Sequence, residues 1–143
     1  MKLFTIGYEG ATMDEFLTAL KTAGVQQVID VRAIAASRRP GFSKTALGNS
    51  LADAGIDYVH LRALGTPTEG RAAARAGRQD DLERIYAGQL ALPEAMVQAE
   101  QMKALAAEKP SALLCFERDP KHCHRTLLWK DAVPGAEIVD LTP

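Results

Sequence analysis

The sequence offers little from which to build a covalent or aromatic framework. It has two cysteines, Cys115 and Cys123, a single tryptophan and 6% aromatic residues, so the core must come from Ala, Leu, Val and Ile. A disulfide-stapled scaffold needs more cysteine than this, and there is no Cys-x-x-Cys element on which a closed structural zinc site is usually built. Long apolar runs are missing too. The first one, from Met1 to Ile6, stops at Gly7, so neither a secretory leader nor a membrane span is expected. Nor is there an excess of either charge: seventeen basic residues face eighteen acidic ones. That balance excludes a general attraction to nucleic acid or lipid and leaves anion binding to a local cluster. The chain also lacks a P-loop, a full Gly-x-Gly-x-x-Gly and a Gly-x-Ser-x-Gly nucleophile elbow. Downstream of Cys115, the position at which a phosphatase-type thiolate loop carries arginine holds Lys121.

What is present is ordinary globular material. A chain of 143 residues with 47% hydrophobic and 24% charged residues supports a single domain over 1–143 with one core. The expected location is the cytoplasm, where Cys115 and Cys123 would be thiols or metal ligands rather than a structural disulfide.

Short β-branched runs alternate with helix-period stretches along the chain, the βαβα pattern of a parallel sheet. Strands are expected at Lys2 to Gly7, Gln27 to Val31, Asp57 to Leu61, Ser111 to Phe116 and Glu137 to Leu141. Thr12 and Glu15 form a capping box for a helix with Met13, Phe16, Leu17 and Leu20 inward and Gly24 as its stop. A second helix starts from Ser43 as N-cap and ends at Gly55. Others cover Asp80 to Leu90, a stretch from Pro93 with Met96, Val97, Met102 and Leu105 apolar, and His124 to Val133. The stretch from Leu64 to Arg78, rich in Gly, Ala and Arg, reads as a mobile lid or insertion. The expected fold is therefore α/β and three-layered, a mostly parallel, Rossmann-like sheet of about five strands flanked by helices.

The unusual residues follow the strands. Gly7-Tyr8-Glu9-Gly10 comes after the first, and Asp30 and Arg32 end the second, on one face because they flank Val31. Ser37, Arg38, Arg39, Pro40-Gly41, Phe42 and Lys44 follow. His60 and Arg62 close the third strand. Cys115, Glu117, Cys123, His124 and Arg125 follow the fourth. Parallel strands bring these loops to one sheet edge, where open α/β folds bind ligands. Arg38, Arg39 and Lys44 lie beside the helix start at Ser43, where backbone N–H groups already favour an anion. Asp30 and Arg32 are either an ion pair closing the sheet end or ligand groups, and His60 is either a structural hydrogen-bonding residue or a catalyst. Cys123 stands just before a helix, beside Lys121, His122, His124 and Arg125, conditions that depress a thiol pKa. It is the candidate nucleophile, whereas Cys115 ends an apolar strand as a small buried hydrophobe. A metal held by Cys115, Cys123 and a histidine, or by Cys123, His124 and Glu117, is the alternative.

Several segments together carry a resemblance: Thr5-Ile6-Gly7-Tyr8-Glu9-Gly10, Asp30-Val31-Arg32, Ser37 to Lys44, Gly55 to Leu61, Leu64-Gly65, and Cys115-Phe116-Glu117 leading to Cys123-His124-Arg125. In this order they resemble the bacterial and archaeal family known as domain of unknown function 488. The resemblance implies one compact α/β domain in which these segments share a site. It carries over no reaction, substrate or cofactor. Relatives commonly insert more residues after the Leu-Gly turn, so the Arg71 to Arg78 stretch is expected to be particular to this chain.

The leading functional expectation is an enzyme acting on a phosphorylated or nucleotide-like small molecule. Tyr8, Asp30, Arg32, Ser37, Arg38, Arg39, Lys44, His124 and Arg125 would hold the anion. Glu9, Glu117 or His60 would act as acid or base, with Cys123 as nucleophile. The alternative is a nucleotide or nucleic-acid binding module without turnover, using Phe42 and Tyr8 to stack a base. A binder tolerates Cys123→Ser and Glu9→Gln but loses salt-sensitive affinity with Arg38→Ala. An enzyme loses turnover with the first two and still binds.

Overall fold

The computed structural model describes the backbone of residues 1–143 and every side chain but that of His122. In chain order the elements are β1 (Lys2–Gly7), α1 (Met13–Ala23), β2 (Gln27–Asp30), α2 (Lys44–Asp53) and β3 (Asp57–His60). A 3-10 turn at Arg62–Leu64 leads into α3 (Thr68–Arg75), α4 (Gln79–Leu90), α5 (Pro93–Glu108) and β4 (Ser111–Cys115). A second 3-10 turn at Pro120–His122 precedes α6 (His124–Ala132) and β5 (Glu137–Leu141). No helix among the described residues is long and apolar enough to cross a membrane.

Local chemistry explains the firmest elements. The Thr12 hydroxyl accepts from the Glu15 N–H at 3.1 Å and the Glu15 carboxylate accepts from the Thr12 N–H at 2.9 Å, so α1 opens on a reciprocal cap. Its inward stripe buries Phe16 and Leu20 completely. Ser43 stands at the start of α2 but makes no side-chain cap. Its hydroxyl instead accepts from the Ser37 N–H at 3.0 Å, which ties down the loop before the helix.

The sheet runs β3-β2-β4-β1-β5, and every pair is parallel. β2 and β4 are buried throughout, as expected for strands covered on both faces. Phe4, Ile6, Val28 and Leu114 pack with Phe16, Leu20, Leu47 and Leu51 of α1 and α2. On the other face Leu3, Ile29 and Leu113 pack with Tyr86, Met102 and Leu128 of α4, α5 and α6. The fold is the expected three-layered α/β sandwich.

Its topology places a crevice. From β1 the chain crosses through α1 toward β2, on one side of the sheet; from β4 it crosses through α6 toward β5, on the other. The neighbouring strands β1 and β4 thus send their following loops apart, and ligands in open α/β sheets lie at such a switch point. The two loops still touch there. The Glu9 N–H donates to the Phe116 carbonyl at 2.8 Å, continuing the sheet beyond its last paired residues. Gly7 makes this approach feasible, since a Cβ on it would lie 1.7 Å from the Glu117 carbonyl oxygen. Gly65 does the same beyond β3, where a Cβ would lie 2.1 Å from the Ala33 nitrogen.

Two expectations need correction. The 64–78 stretch is a turn and a helix rather than a lid, and it buries Leu64, Thr66, Gly70 and Ala73. Small residues let α3 press onto α4, with Gly70 facing Thr66, Ile85 and Leu82. On α5, Met96 and Val97 point outward, at 58% and 60% exposure, while Ala95, Met102 and Ala106 are buried.

Alanine replacements at two glycines should move stability in opposite directions. Gly7→Ala forces the β1 and β4 loops apart and should cost about 3 kcal/mol. Gly88→Ala, in α4 with nothing near its Cβ position, should add about 0.5–1 kcal/mol. Urea unfolding of both variants checks this, and an unaffected Gly7→Ala would mean that the loops do not meet.

Candidate functional site

The site begins with a charge pair at the end of β2. Arg32 donates to the Asp30 carboxylate twice, from Nη2 at 2.7 Å and Nε at 2.9 Å. Asp30 is fully buried and Arg32 nearly so. The carboxylate also accepts from the Tyr58 hydroxyl at 2.6 Å and from the Arg32 backbone N–H at 3.1 Å. The remaining Arg32 nitrogen donates to the Phe42 carbonyl at 2.7 Å and the Tyr8 hydroxyl at 3.2 Å. Burial works against the Arg32 charge, but the hydrogen bonds and charge of Asp30 outweigh it and hold the guanidinium pKa above its ordinary value. Burial, then Asp30, raises that of the Tyr58 phenol.

This pair shapes the loop above it. Tyr8 stacks on Phe42 with ring centres 4.5 Å apart and planes 6° off parallel, and the Arg32 guanidinium lies over Tyr8. The Lys44 N–H donates to the Ala35 carbonyl at 2.8 Å, and the Arg39 guanidinium donates to the Ala11 carbonyl. Residues 33–43 are thereby folded back across the end of β1.

Between that loop, α3 and the end of β4 lies a cavity of about 820 Å³, within the usual size of small-molecule sites. Arg32, Arg38, Arg39, Arg71 and Arg75 line it, with Glu117 as its one carboxylate. Among the described residues the Arg38 and Arg75 guanidinium groups make no hydrogen bond or ion pair. Tyr8, Ile34, Leu82 and Phe116 supply apolar wall, and Ser37, Thr66, Cys115 and His124 complete the polar lining. Burial raises the Glu117 carboxyl pKa, with Arg125 opposing.

The floor is where α6 meets β4. Cys115 lies on the same face of β4 as Leu113 by strand alternation, toward α6. The Arg125 guanidinium, fully buried, donates to Cys115 Sγ at 2.9 Å and also to the carbonyls of Glu117 and Arg118. Cys123 Sγ caps α6 by accepting from the Arg125 N–H at 3.4 Å. His124 Nε2 sits 2.8 Å from the Val31 carbonyl oxygen, and its Nδ1 lies 3.9 Å from Cys123 Sγ. Burial pushes the His124 pKa down to about 4, the Val31 contact opposing, so the ring is neutral. Cys115 and Cys123 are joined as a disulfide, which corrects the expectation of thiols or metal ligands rather than a disulfide. They meet because the loop after β4 turns back through Pro120–His122 and returns the chain to its own strand end.

Of the candidate site residues named from the sequence, Tyr8, Arg32, Ser37, Arg38, Arg39, Cys115, Glu117 and His124 line the cavity. The others lie outside its lining. Asp30 anchors Arg32, and Arg125 supports the floor. Glu9 is exposed and accepts from the Arg118 N–H at 3.0 Å. Lys44 is also exposed. His60 has its Nε2 2.7 Å from the Arg32 carbonyl oxygen, tying β3 to the loop. Cys123 is buried behind Cys115, and the side chain of His122 lies outside the described residues. Arg71 and Arg75 are additions that the sequence reading assigned no role. Their spacing places both on one face of α3, a signal that becomes visible once the segment is read as a helix.

The family model of the domain of unknown function DUF488 matches residues 12–131, and the chain belongs to that family. No curated protein and no solved structure matches the chain.

Removing Asp30 strands a buried guanidinium. Asp30→Ala should cost about 3–5 kcal/mol, and Tyr58→Phe, which removes one hydrogen bond to the carboxylate, about 1.5 kcal/mol. Denaturant unfolding of the two variants tests the ranking; a loss below about 1 kcal/mol for Asp30→Ala would show that the pair does not hold the loop.

Proposed function

We propose, for this member of the DUF488 family, that the cavity is the active site of an enzyme acting on a phosphorylated or nucleotide-like small molecule. The observation that carries this is the lining: five arginines against one carboxylate around about 820 Å³. Guanidinium groups present paired donors that match phosphate oxygens, and Arg38 and Arg75 have no protein partner to surrender among the described residues. The apolar wall of Ile34, Leu82 and Phe116 with the edge of Tyr8 suits a base or another flat organic group beside the phosphate. In this reading the protein works in the reducing cytoplasm, where cellular dithiols reduce the Cys115–Cys123 bond to two thiols.

The chemistry proposed is hydrolysis or group transfer. Arg38, Arg39, Arg71 and Arg75 hold the anion and offset charge that builds up as the bond to the leaving group breaks. Glu117, whose carboxyl pKa is raised by burial, is the cavity's candidate proton donor to the leaving group. Cys115 lines the floor with the Arg125 guanidinium on its sulfur. It takes the place at the reacting centre that sequence reasoning gave to Cys123, which stands behind it. Retention of a concave cavity favours a small ligand over an extended nucleic-acid strand, which needs an open groove.

Thermal denaturation with nucleotides, sugar phosphates and short oligonucleotides tests the proposal. A ligand at about a hundred times its Kd adds roughly 2.7 kcal/mol and raises the midpoint. Mononucleotides or sugar phosphates should shift the wild type and fail to shift Arg38→Ala. Cys115→Ser and Glu117→Gln should keep the shift and lose turnover of the ligand found. A response to oligonucleotides alone would turn the protein into a binding module, and no response to any phosphate would overturn the proposal.

A further inference from the structure

The floor of the cavity holds a second kind of chemistry. Cys115 Sγ, Cys123 Sγ and His124 Nδ1 or Nε2 converge so that one ligand atom from each lies within 4.8 Å of the others, and all three residues are buried. We infer that these residues bind a divalent metal ion of the zinc class, with its fourth position open to the arginine-lined cavity.

Each donor is already oriented as a ligand. His124 Nε2 is committed to the Val31 carbonyl at 2.8 Å, a contact that needs the proton on Nε2 and leaves the Nδ1 lone pair facing the sulfurs. Such a hydrogen bond from the far ring nitrogen to a carbonyl is the usual outer support of a metal-bound histidine. Cys115 Sγ accepts from the Arg125 guanidinium and Cys123 Sγ from the Arg125 backbone N–H, so both sulfurs have the N–H partners that stabilise thiolates.

The spacing fits an ion between them. A tetrahedral zinc with bonds of about 2.3 Å to sulfur and 2.05 Å to nitrogen sets those two atoms roughly 3.6 Å apart; Cys123 Sγ and His124 Nδ1 are 3.9 Å apart. The same ion holds two sulfurs about 3.8 Å apart. The Cα atoms of Cys115 and Cys123 are separated by 7.7 Å, beyond the roughly 4.4–6.8 Å that a direct sulfur–sulfur bond spans. Reduction of the Cys115–Cys123 bond by a cellular dithiol, which supplies two electrons and two protons and is itself oxidised to a disulfide, frees both sulfurs to separate around the ion, in the direction that the backbone spacing favours.

Charge and access complete the case. Two thiolates, formed by loss of both thiol protons, and a neutral imidazole balance the divalent ion, and the Arg125 guanidinium leaves the centre positive. Cys115 and His124 line the cavity while Cys123 stands behind. The open side therefore faces the cavity, where water or a phosphate oxygen can complete the shell. Two cysteines, one histidine and an open position form a catalytic rather than a closed structural zinc arrangement. Glu117, an alternative ligand from sequence, is not in the cluster.

Cobalt substitution tests this without any substrate, so its result is separate from the phosphate proposal. Untagged protein is reduced with a phosphine and stripped of metal anaerobically. Titration of its thiols should find about two per chain, and cobalt(II) is then added. The expected result is visible bands of tetrahedral cobalt and a near-ultraviolet thiolate charge-transfer band, saturating at about one ion per chain and abolished by added zinc. Cys115→Ser and Cys123→Ser should each weaken the charge-transfer band, and His124→Ala should weaken binding at least tenfold with both thiols present. Reduced wild-type protein that develops no such bands in excess cobalt would overturn the inference and leave the pair to thiol–disulfide chemistry. Because wild type alone decides that, variants that fail to fold do not blunt the test. Bands undiminished in folded Cys115→Ser and Cys123→Ser would overturn it equally.

Discussion

The bidentate contact between Asp30 and Arg32 is the interaction on which the site depends. Both groups are taken out of water at the end of a central strand, and such a transfer costs several kcal/mol per ion unless the lone pairs and protons find partners. Here they do. The carboxylate accepts from the guanidinium, the Tyr58 hydroxyl and a backbone N–H, and the guanidinium also reaches Phe42 and Tyr8. The pair therefore joins the ends of β1, β2 and β3 to the loop over residues 33–43. A buried pair of this kind is poor evidence for extra stability, but it fixes one arrangement of that loop. Arg38 and Arg39 are carried by the loop into a wall of the cavity.

Around this anchor the fold divides the labour between its two faces. The face covered by α1 and α2 is hydrocarbon with Tyr8 and Phe42 at its upper edge, and it sets the floor for the arginine loop. The face covered by α4, α5 and α6 ends in the cysteine and histidine groups. The cavity spans the end of the sheet between the two, with cations from the loop and α3 at its sides and sulfur at its base. An anion drawn in by the arginines would meet the sulfur-lined base, which makes the anion site and the proposed metal position parts of one centre.

Much of this was legible in the residues. The capping box at Thr12 and Glu15, the apolar runs of β1, β2 and β4, and the convergence of polar loops after parallel strands all follow from local rules. What local rules missed depended on packing. α3 carries Ala and Gly where a helix usually carries Leu, so its inward face, Gly70 and Ala73, gave no apolar stripe to read. Met96 and Val97 are apolar yet exposed because α5 rests on its alanines and Met102. The placement of the two cysteines needed packing for a similar reason. Cys115 ends an apolar run and is buried as expected, and strand alternation also aims it at α6 and the cavity, while the basic neighbours of Cys123 give no sign that its sulfur caps α6. His60 and His124 are both bonded to backbone carbonyls, and only the three-dimensional placement shows which one reaches the cavity.

The central claim is that the arginine-lined cavity binds a phosphorylated small molecule, and backbone amide shifts observed during titration test it most directly. With nucleoside monophosphates and inorganic pyrophosphate added to isotopically labelled protein, saturable shifts should appear at 8–10, 33–42, 71–75 and 116–118. The edge strand β5 and the N-terminal end of the sheet should stay unchanged. Shifts absent for every probe, or scattered over the surface without saturation, would contradict a phosphate site in this cavity.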